Sequence, residues 1–347
     1  MNKAEKAGKF NPDAPRQRNG HFMGLPFTEA EAEVVLLSAP WGSGIHLDSN
    51  ASTAAANILE ASYLLSPYDP DAPQAGLCLR LPEEPMAERC RQLLEKTASV
   101  TLFAENGKAS PKDGYVQTSF EEIDKEIAVL QKWLKQEANA LLDQKKRVGL
   151  IGGDSSAQLG LLQALAERYT EFGILHLGAR MGLNASWPGP ACSPETLFAH
   201  ALHFDSLKQL SLAGIRCAFP QEEKTAHSRE HISVFHDHDI RRRLYRGHAF
   251  SQICGDIIRG LPDRGYLSFD IDALKPQYGP NASHTMPGGF EIEEALYLVK
   301  RLLDAELEII GFGLCGVAGL GHARDGQAGA LLAYRLGNLM GVSGLVE

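Results

Sequence analysis

Asp270 and Asp272 stand one residue apart at the end of the apolar run Tyr266-Leu-Ser-Phe-Asp270-Ile-Asp272. On a strand, residues two apart project from the same face. Carboxylates held side by side repel unless something positive stands between them. The pair therefore requires a pair of metal ions, a single metal ion, or a cationic side chain.

Other groups carry weaker signals. The stretch HSREH, His227 to His231, has the H-x-x-E-H spacing of a zinc peptidase class. On a helix it would set His227 and His231 on one face. That pattern also needs an acid on a partner helix, and its place in a connection before ISVFHDHD argues for a solvated segment. His236-Asp237-His238 reads as a surface strand end able to take up a stray metal ion. Gly152-Gly153 lacks the spacing of a phosphate cradle, and no Lys-Ser/Thr follows it. Ser155 and Ser156 have no G-x-S-x-G elbow around them. Cys315 reads as a packing thiol, and His200 and His203 as core or helix-surface residues.

The elements that would position these groups alternate along the chain. EVVLLSAPWG (Glu33 to Gly42) reads as a buried strand, stopped by Pro and Gly. TAAANILEASYLL (Thr53 to Leu65) has helical spacing. Residues 66–90 are rich in Pro and polar groups and read as an excursion or edge hairpin. Ser119 to Lys146 is a long amphipathic helix with acids early and lysines late, as its dipole prefers. RVGLIGGD is a strand, AQLGLLQALAERY a helix, and FGILHLGA a strand. LKQLSLAGIR suggests a helix end and a strand, and ISVFHDHDI a short strand. HAFSQICGDIIRGLP is a helix, GYLSFDID a strand, EIEEALYLVKRLLDA a helix, EIIGFGLCGV a strand and Gln327 to Gly341 a closing helix. Alternation of this kind predicts a parallel sheet covered by helices on both faces. In such sheets the site lies beyond the carboxyl ends of the strands.

Three strand ends carry the pattern further: Ile151-Gly-Gly-Asp154-Ser155-Ser156, Leu177-Gly178-Ala-Arg180-Met-Gly182 and Phe269-Asp270-Ile-Asp272. Together with FMGLPFTEAEAEVVLLSAPW, ILEASYLLSPYDPD, GIR and MPGGFEIEEALYLVKRLL, they resemble the arginase/agmatinase ureohydrolases nearly end to end. The resemblance implies a three-layer α/β/α arginase-like fold with a central parallel sheet. It implies hydrolysis at a guanidine or amidine carbon by hydroxide held between two divalent metals, manganese or nickel. A metal lowers the pKa of its bound water and so supplies the nucleophile such a poor electrophile needs.

The departures from the family pattern are concentrated at the ligands. Where Gly-Gly-Asp-His-Ser is usual, Ser155 replaces the His. Where Asp-Ala-His-x-Asp is usual, Gly178, Arg180 and Gly182 replace all three ligands. Asp270 and Asp272 are the retained ligand-type residues, and Asp154 persists at a supporting position. Lys275 stands in place of the Asp before Pro276, and Gly316 stands where the resemblance places a substrate-binding glutamate. His200 and His203 fall where the family brings a loop and helix toward the site. Glycine offers no donor, and an arginine at a ligand position repels a metal. The expected outcome is that Arg180, with Lys275 as a second cation, neutralises Asp270 and Asp272. The alternative is that Arg180 swings to solvent and the aspartates bind ordered water.

The 347-residue chain carries a net charge of −9. It shows no basic tract interleaved with aromatics, which argues against nucleic-acid binding. No stretch reaches the ~20 apolar residues of a membrane span, and the polar start MNKAEKAGKFNPDAPRQRNG lacks a signal-peptide core. Six cysteines without a C-x-x-C pair fit free thiols in a reducing compartment, hence a cytoplasmic location. Residues 1–20 read as a flexible arm and 21–347 as a single domain. What the resemblance implies is a silent subunit with no metal of its own, beside an active paralogue holding the nickel or manganese pair in a trimer- or hexamer-type assembly. Two alternatives stay open: an amidine hydrolase using Asp270 or Asp272 as a base, and a module that binds guanidines.

Overall fold

A computed structural model of the protein describes residues 11, 13–42, 49–105, 114–186, 188–282 and 285–344. Among these, eight strands form one sheet: β1 (Val34–Ala39), β2 (Leu77–Arg80), β3 (Arg147–Gly152), β4 (Phe172–Leu177), β5 (Leu207–Ile215), β6 (Ile232–His236), β7 (Arg264–Asp270) and β8 (Glu308–Cys315). Their order is β2-β1-β3-β8-β7-β4-β5-β6, and every neighbouring pair is parallel. Because a parallel sheet hides both faces, its strands are apolar on both. Val34 and Leu36 enter one core while Val35 and Leu37 enter the other, as the two-residue period of a strand dictates.

The helices are α1 (Ala54–Ser62), α2 (Glu84–Glu105), α3 (Gly114–Asp143), α4 (Leu159–Arg168), α5 (Leu197–Ala201), α6 (Pro220–His227), α7 (Asp237–Tyr245), α8 (Phe250–Ile258), α9 (Ile292–Asp304) and α10 (Ala323–Val342). Buried residues of α1 and α7–α10 pack into the first core, and those of α2–α6 into the second. The result is the three-layer α/β/α arrangement expected. In α3 the stripe Val116, Ile123, Ile127, Leu130, Leu134, Ala138 and Leu141 is buried, at the three- and four-residue spacing of a helix face.

Several boundaries differ from the sequence reading. Residues 66–90 form no hairpin: Leu77–Arg80 pairs parallel to β1, from Val34↔Leu77 to Leu37↔Arg80, and α2 begins at Glu84. The reason is tertiary. Arg335 on α10 reaches Asp69 Oδ1 at 2.9 Å and also pairs with Asp71. Asn338 Nδ2 donates to Asp69 Oδ2 at 3.0 Å. These contacts carry the segment across α10, so it enters the sheet in the β1 direction. LKQLSLAGIR is one strand, because α5 ends earlier, at Ala201.

Met1–Phe10 and residue 12 of the expected arm lie outside the described residues. The part next to them is docked: Gly20 N–H donates to Tyr63 Oη at 3.0 Å, and Arg18 pairs with Glu60. No helix among the described residues is long and apolar enough to cross a membrane.

Candidate functional site

The ends of β3, β8, β7 and β4 are consecutive in the sheet. They bring Asp154, Gly316, Asp270 with Asp272, and the 178–182 loop to one edge, where open α/β sheets place their sites. Asp154 caps the short turn after β3. Its Oδ1 accepts from Ser156 N–H at 2.9 Å and from the Ser156 hydroxyl. Ser155 and Ser156 are both buried, and Ser156 serves this cap.

The two aspartates take different partners. Asp270 turns back to accept from Asp272 N–H at 3.2 Å. Asp272 Oδ1 accepts from Ala179 N–H at 2.8 Å, latching the end of β7 to the end of β4. Arg216 donates to the Asp272 carbonyl and, at 3.0 Å, to that of Gly214. Arg180 lies beside the pair, its Nε 3.6 Å from Asp272 Oδ2. That separation is an ion pair rather than a hydrogen bond. Arg180 Nη1 donates to Glu195 Oε1 at 3.1 Å. The Arg180 side chain is 16% exposed, that of Glu195 10% and that of Asp272 3%, so Arg180 does not swing to solvent. Lys275 does: it pairs with Glu291 at the surface and takes no part in neutralising the aspartates. Lys275 N–H is tied to the Phe290 carbonyl at 3.0 Å, which sets Lys275 beside Glu291, the N-cap of α9.

Burial, followed by the Asp272 charge, pushes the Asp270 carboxyl well above the ordinary carboxylate range, with Arg180 pulling the other way. Burial works against the charge of Arg180, but the carboxylates of Asp272, Asp270, Glu195 and Asp154 outweigh it and raise its already high pKa. Burial also pushes the Cys315 thiol well up, which removes it as a nucleophile at neutral pH. A Cβ on Gly152 would meet its Sγ at 2.7 Å, so Cys315 is packed where the sequence placed it.

At Gly178, Gly182 and Gly316, where the resemblance implies ligands or a substrate-binding acid, the space a side chain would need is occupied. A Cβ on Gly178 would fall well inside van der Waals contact with Nε2 of His176. At Gly182 φ is +66°, and a Cβ would meet the Pro194 carbonyl at 2.8 Å. At Gly316 φ is +80°, and a Cβ would meet Asp270 Oδ1 at 2.5 Å. L-residues avoid both backbones. Side chains at 182 and 316 would thus be strained by conformation as well as crowded.

His176 and Glu195 were missed in the sequence. His176 Nδ1 shares a hydrogen bond with Ser268 Oγ at 2.9 Å, and its ring meets Phe198 edge-on. A histidine inside an apolar strand, two residues before Gly178 and hence on its face, was the available signal. Glu195 had none: it arrives from a loop, where Asn184 N–H donates to its carbonyl at 3.0 Å.

His200, His203, His227, His231, His236 and His238 do not line this edge. His200 Nε2 bonds the Ala191 carbonyl at 2.9 Å, and His203 is exposed. α6 stops at His227, leaving His231 in the following turn, so the two never share a helix face. His236 ends β6 as expected and meets Glu223 at 3.1 Å, and His238 lies on α7.

A divalent pair needs several oxygen or imidazole donors aimed at one centre. This edge offers Asp270 and Asp272, each holding a backbone N–H, and Asp154, which caps its own turn, with Arg180 as a permanent cation between Asp272 and Glu195. Among the described residues no group of three His, Cys, Asp or Glu side chains could hold a metal ion. The described residues do not fit a metal pair.

Comparison with known proteins bears on the lineage. The arginase family profile matches residues 32–337. The N(1)-aminopropylagmatine ureohydrolase of Thermus thermophilus is 27% identical over 213 residues, 60% of this chain and 68% of the relative. An agmatinase of Edwardsiella ictaluri is 30% identical over 189 residues, 53% of this chain and 57% of the relative. Among solved structures, proclavaminate amidino hydrolase from Streptomyces clavuligerus superposes with TM-score 0.70 at 17% identity, covering 95% of this chain and 100% of that one. The agmatine ureohydrolase of Thermoplasma volcanium gives 0.65 at 16% identity, covering 99% and 100%. The parallel sheet and the strand-end motifs already pointed the same way, and a profile match running from β1 into α10 completes the case: the chain belongs to the arginase family.

Proposed function

We propose that this chain is a catalytically silent ureohydrolase-family subunit that supports an active, metal-loaded paralogue in a cytoplasmic hetero-oligomeric hydrolase. The reaction class is cleavage of a C–N bond in a guanidine or biguanide. Metformin, split to guanylurea and dimethylamine, is the substrate to test first, because the chain looks like the non-catalytic subunit of the bacterial metformin hydrolase. The nickel or manganese pair belongs, in this reading, to the partner, within a trimer- or hexamer-type assembly.

The observation that carries the reading is Arg180, at 3.6 Å from Asp272 and 3.1 Å from Glu195 where the family resemblance implies a metal ligand. A cation there competes with a metal rather than ligating it. A carboxylate base alone, without activated water, falls far short of hydrolytic rate enhancement. An intact sheet with both cores retained supports a role through packing against a related subunit.

Co-expression with the neighbouring open reading frame, expected to encode the active paralogue, tests it. Assembly and hydrolysis are expected only when both chains are present, with metal stoichiometry matching the paralogue alone. Full activity of the paralogue without this chain overturns the reading, as does turnover by this chain purified alone with stoichiometric nickel or manganese.

A further inference from the structure

The carboxylates around Arg180 form a built recess rather than a scatter of surface acids. Asp272 and Glu195 flank the guanidinium from two separate parts of the chain, the end of β7 and the loop before α5. Both are buried, at 4% and 8% exposure. Each keeps one oxygen, Asp272 Oδ2 and Glu195 Oε2, without a hydrogen-bond donor. Their other oxygens are fixed, by Ala179 N–H at 2.8 Å and by Arg180 Nη1 at 3.1 Å. The planar fork of a guanidinium presents five N–H donors and can face two carboxylates at once. A spherical divalent ion needs more donors than these, and the positions that could supply them are closed by His176 at Gly178, by the Pro194 carbonyl at Gly182 and by Asp270 at Gly316.

We infer that this recess is a guanidinium-shaped cradle occupied permanently by the chain's own Arg180, and that removing that side chain opens it to a small external guanidinium but not to a divalent metal. The inference rests on the site being metal-free, and deepens that reading by giving the recess a ligand class. Arg180 then acts as an internal ligand joining β7 to the loop that carries Glu195, while excluding small cations from outside.

Chemical rescue provides the test. Arg180→Ala is titrated with ethylguanidinium chloride at low millimolar concentration, with sodium chloride, urea, manganese and nickel as parallel additions, and thermal unfolding and calorimetry as readouts. Ethylguanidinium should bind the variant at least roughly tenfold more tightly than the wild type and raise its melting temperature, with no matching effect of sodium or urea. Glu195→Gln added to Arg180→Ala should weaken that binding. Arg180→Met, which fills the recess with an uncharged chain, should respond to none of the additions. If Arg180→Ala is insoluble, refolding with and without ethylguanidinium becomes the readout: recovery supports the inference and no recovery overturns it. A folded Arg180→Ala that ignores ethylguanidinium overturns it while leaving the silent-subunit reading intact. Manganese or nickel bound stoichiometrically by Arg180→Ala alone also overturns it, and by the wild type overturns both.

Discussion

His176 covers Gly178. The imidazole stands on the same face of β4 two residues earlier, with its Nε2 in the space a side chain at 178 would need. Its other nitrogen is held by Ser268 on β7 at 2.9 Å. An acid placed at 178 therefore meets a tethered, buried ring in the space its side chain would need.

Gly178→Ala should destabilise the chain by about 1–3 kcal/mol through overpacking. In a His176→Ala background the same substitution should cost much less, since the obstructing ring is gone. A double-mutant cycle by urea unfolding measures the coupling. Additive costs would show that the ring and residue 178 do not compete for space.

Arg180→Met should cost about 3–5 kcal/mol, the usual penalty for removing one member of a buried ion pair. The loss comes from leaving Asp272 and Glu195 uncompensated, both being within 4 Å of Arg180 in the folded chain. Replacing Asp272 and Arg180 together, by Asn and Met, should recover part of it. An unchanged unfolding midpoint for the single variant would remove the ion pair from the account of the fold.

Burial holds the His176 pKa down, from 6.5 to about 3. Between those values the unfolded chain binds a proton that the folded chain refuses. Stability should therefore fall as pH drops below about 6.5, at up to about 1.4 kcal/mol per unit, until the folded histidine itself titrates. His176→Gln should flatten this part of the acid limb relative to the wild type. Denaturant midpoints at a series of pH values for the two proteins give the difference; parallel curves would show that His176 is not the group refusing the proton.

Arg335 has a side chain only 5% exposed and holds Asp69, itself 1% exposed, from the middle of α10. Arg335→Met should cost about 3–5 kcal/mol, as loss of one partner from a buried pair does. The segment 66–75 should also open locally, seen as faster amide exchange and proteolysis there than in β3 or β7. Asp71→Asn, at the more exposed end of the network, should cost less.

Much of the architecture follows from the order of residues alone. Apolar runs stopped by Gly and Pro, alternating with helical stripes such as that of α3, dictate a parallel sheet with two helical layers, because only such a sheet buries strands that are apolar on both faces. The sequence also places Ser155, Gly178, Arg180 and Gly182 where the family resemblance implies ligands and Gly316 where it implies a substrate-binding acid, and sets Asp270 and Asp272 at one strand end. What neutralises that pair was decided only in three dimensions. Lys275, three residues away in the chain, turns to Glu291, while Glu195 arrives from a loop 15 residues beyond Arg180. The same holds for β2, which follows its edge because Arg335 and Asn338 grip Asp71 and Asp69 across 264 and 269 residues of chain. Local pattern specifies periodicity and turns. Which charge meets which depends on closure of the whole sheet, since Coulombic pairing is set by distance in space and by burial, neither of which sequence separation encodes.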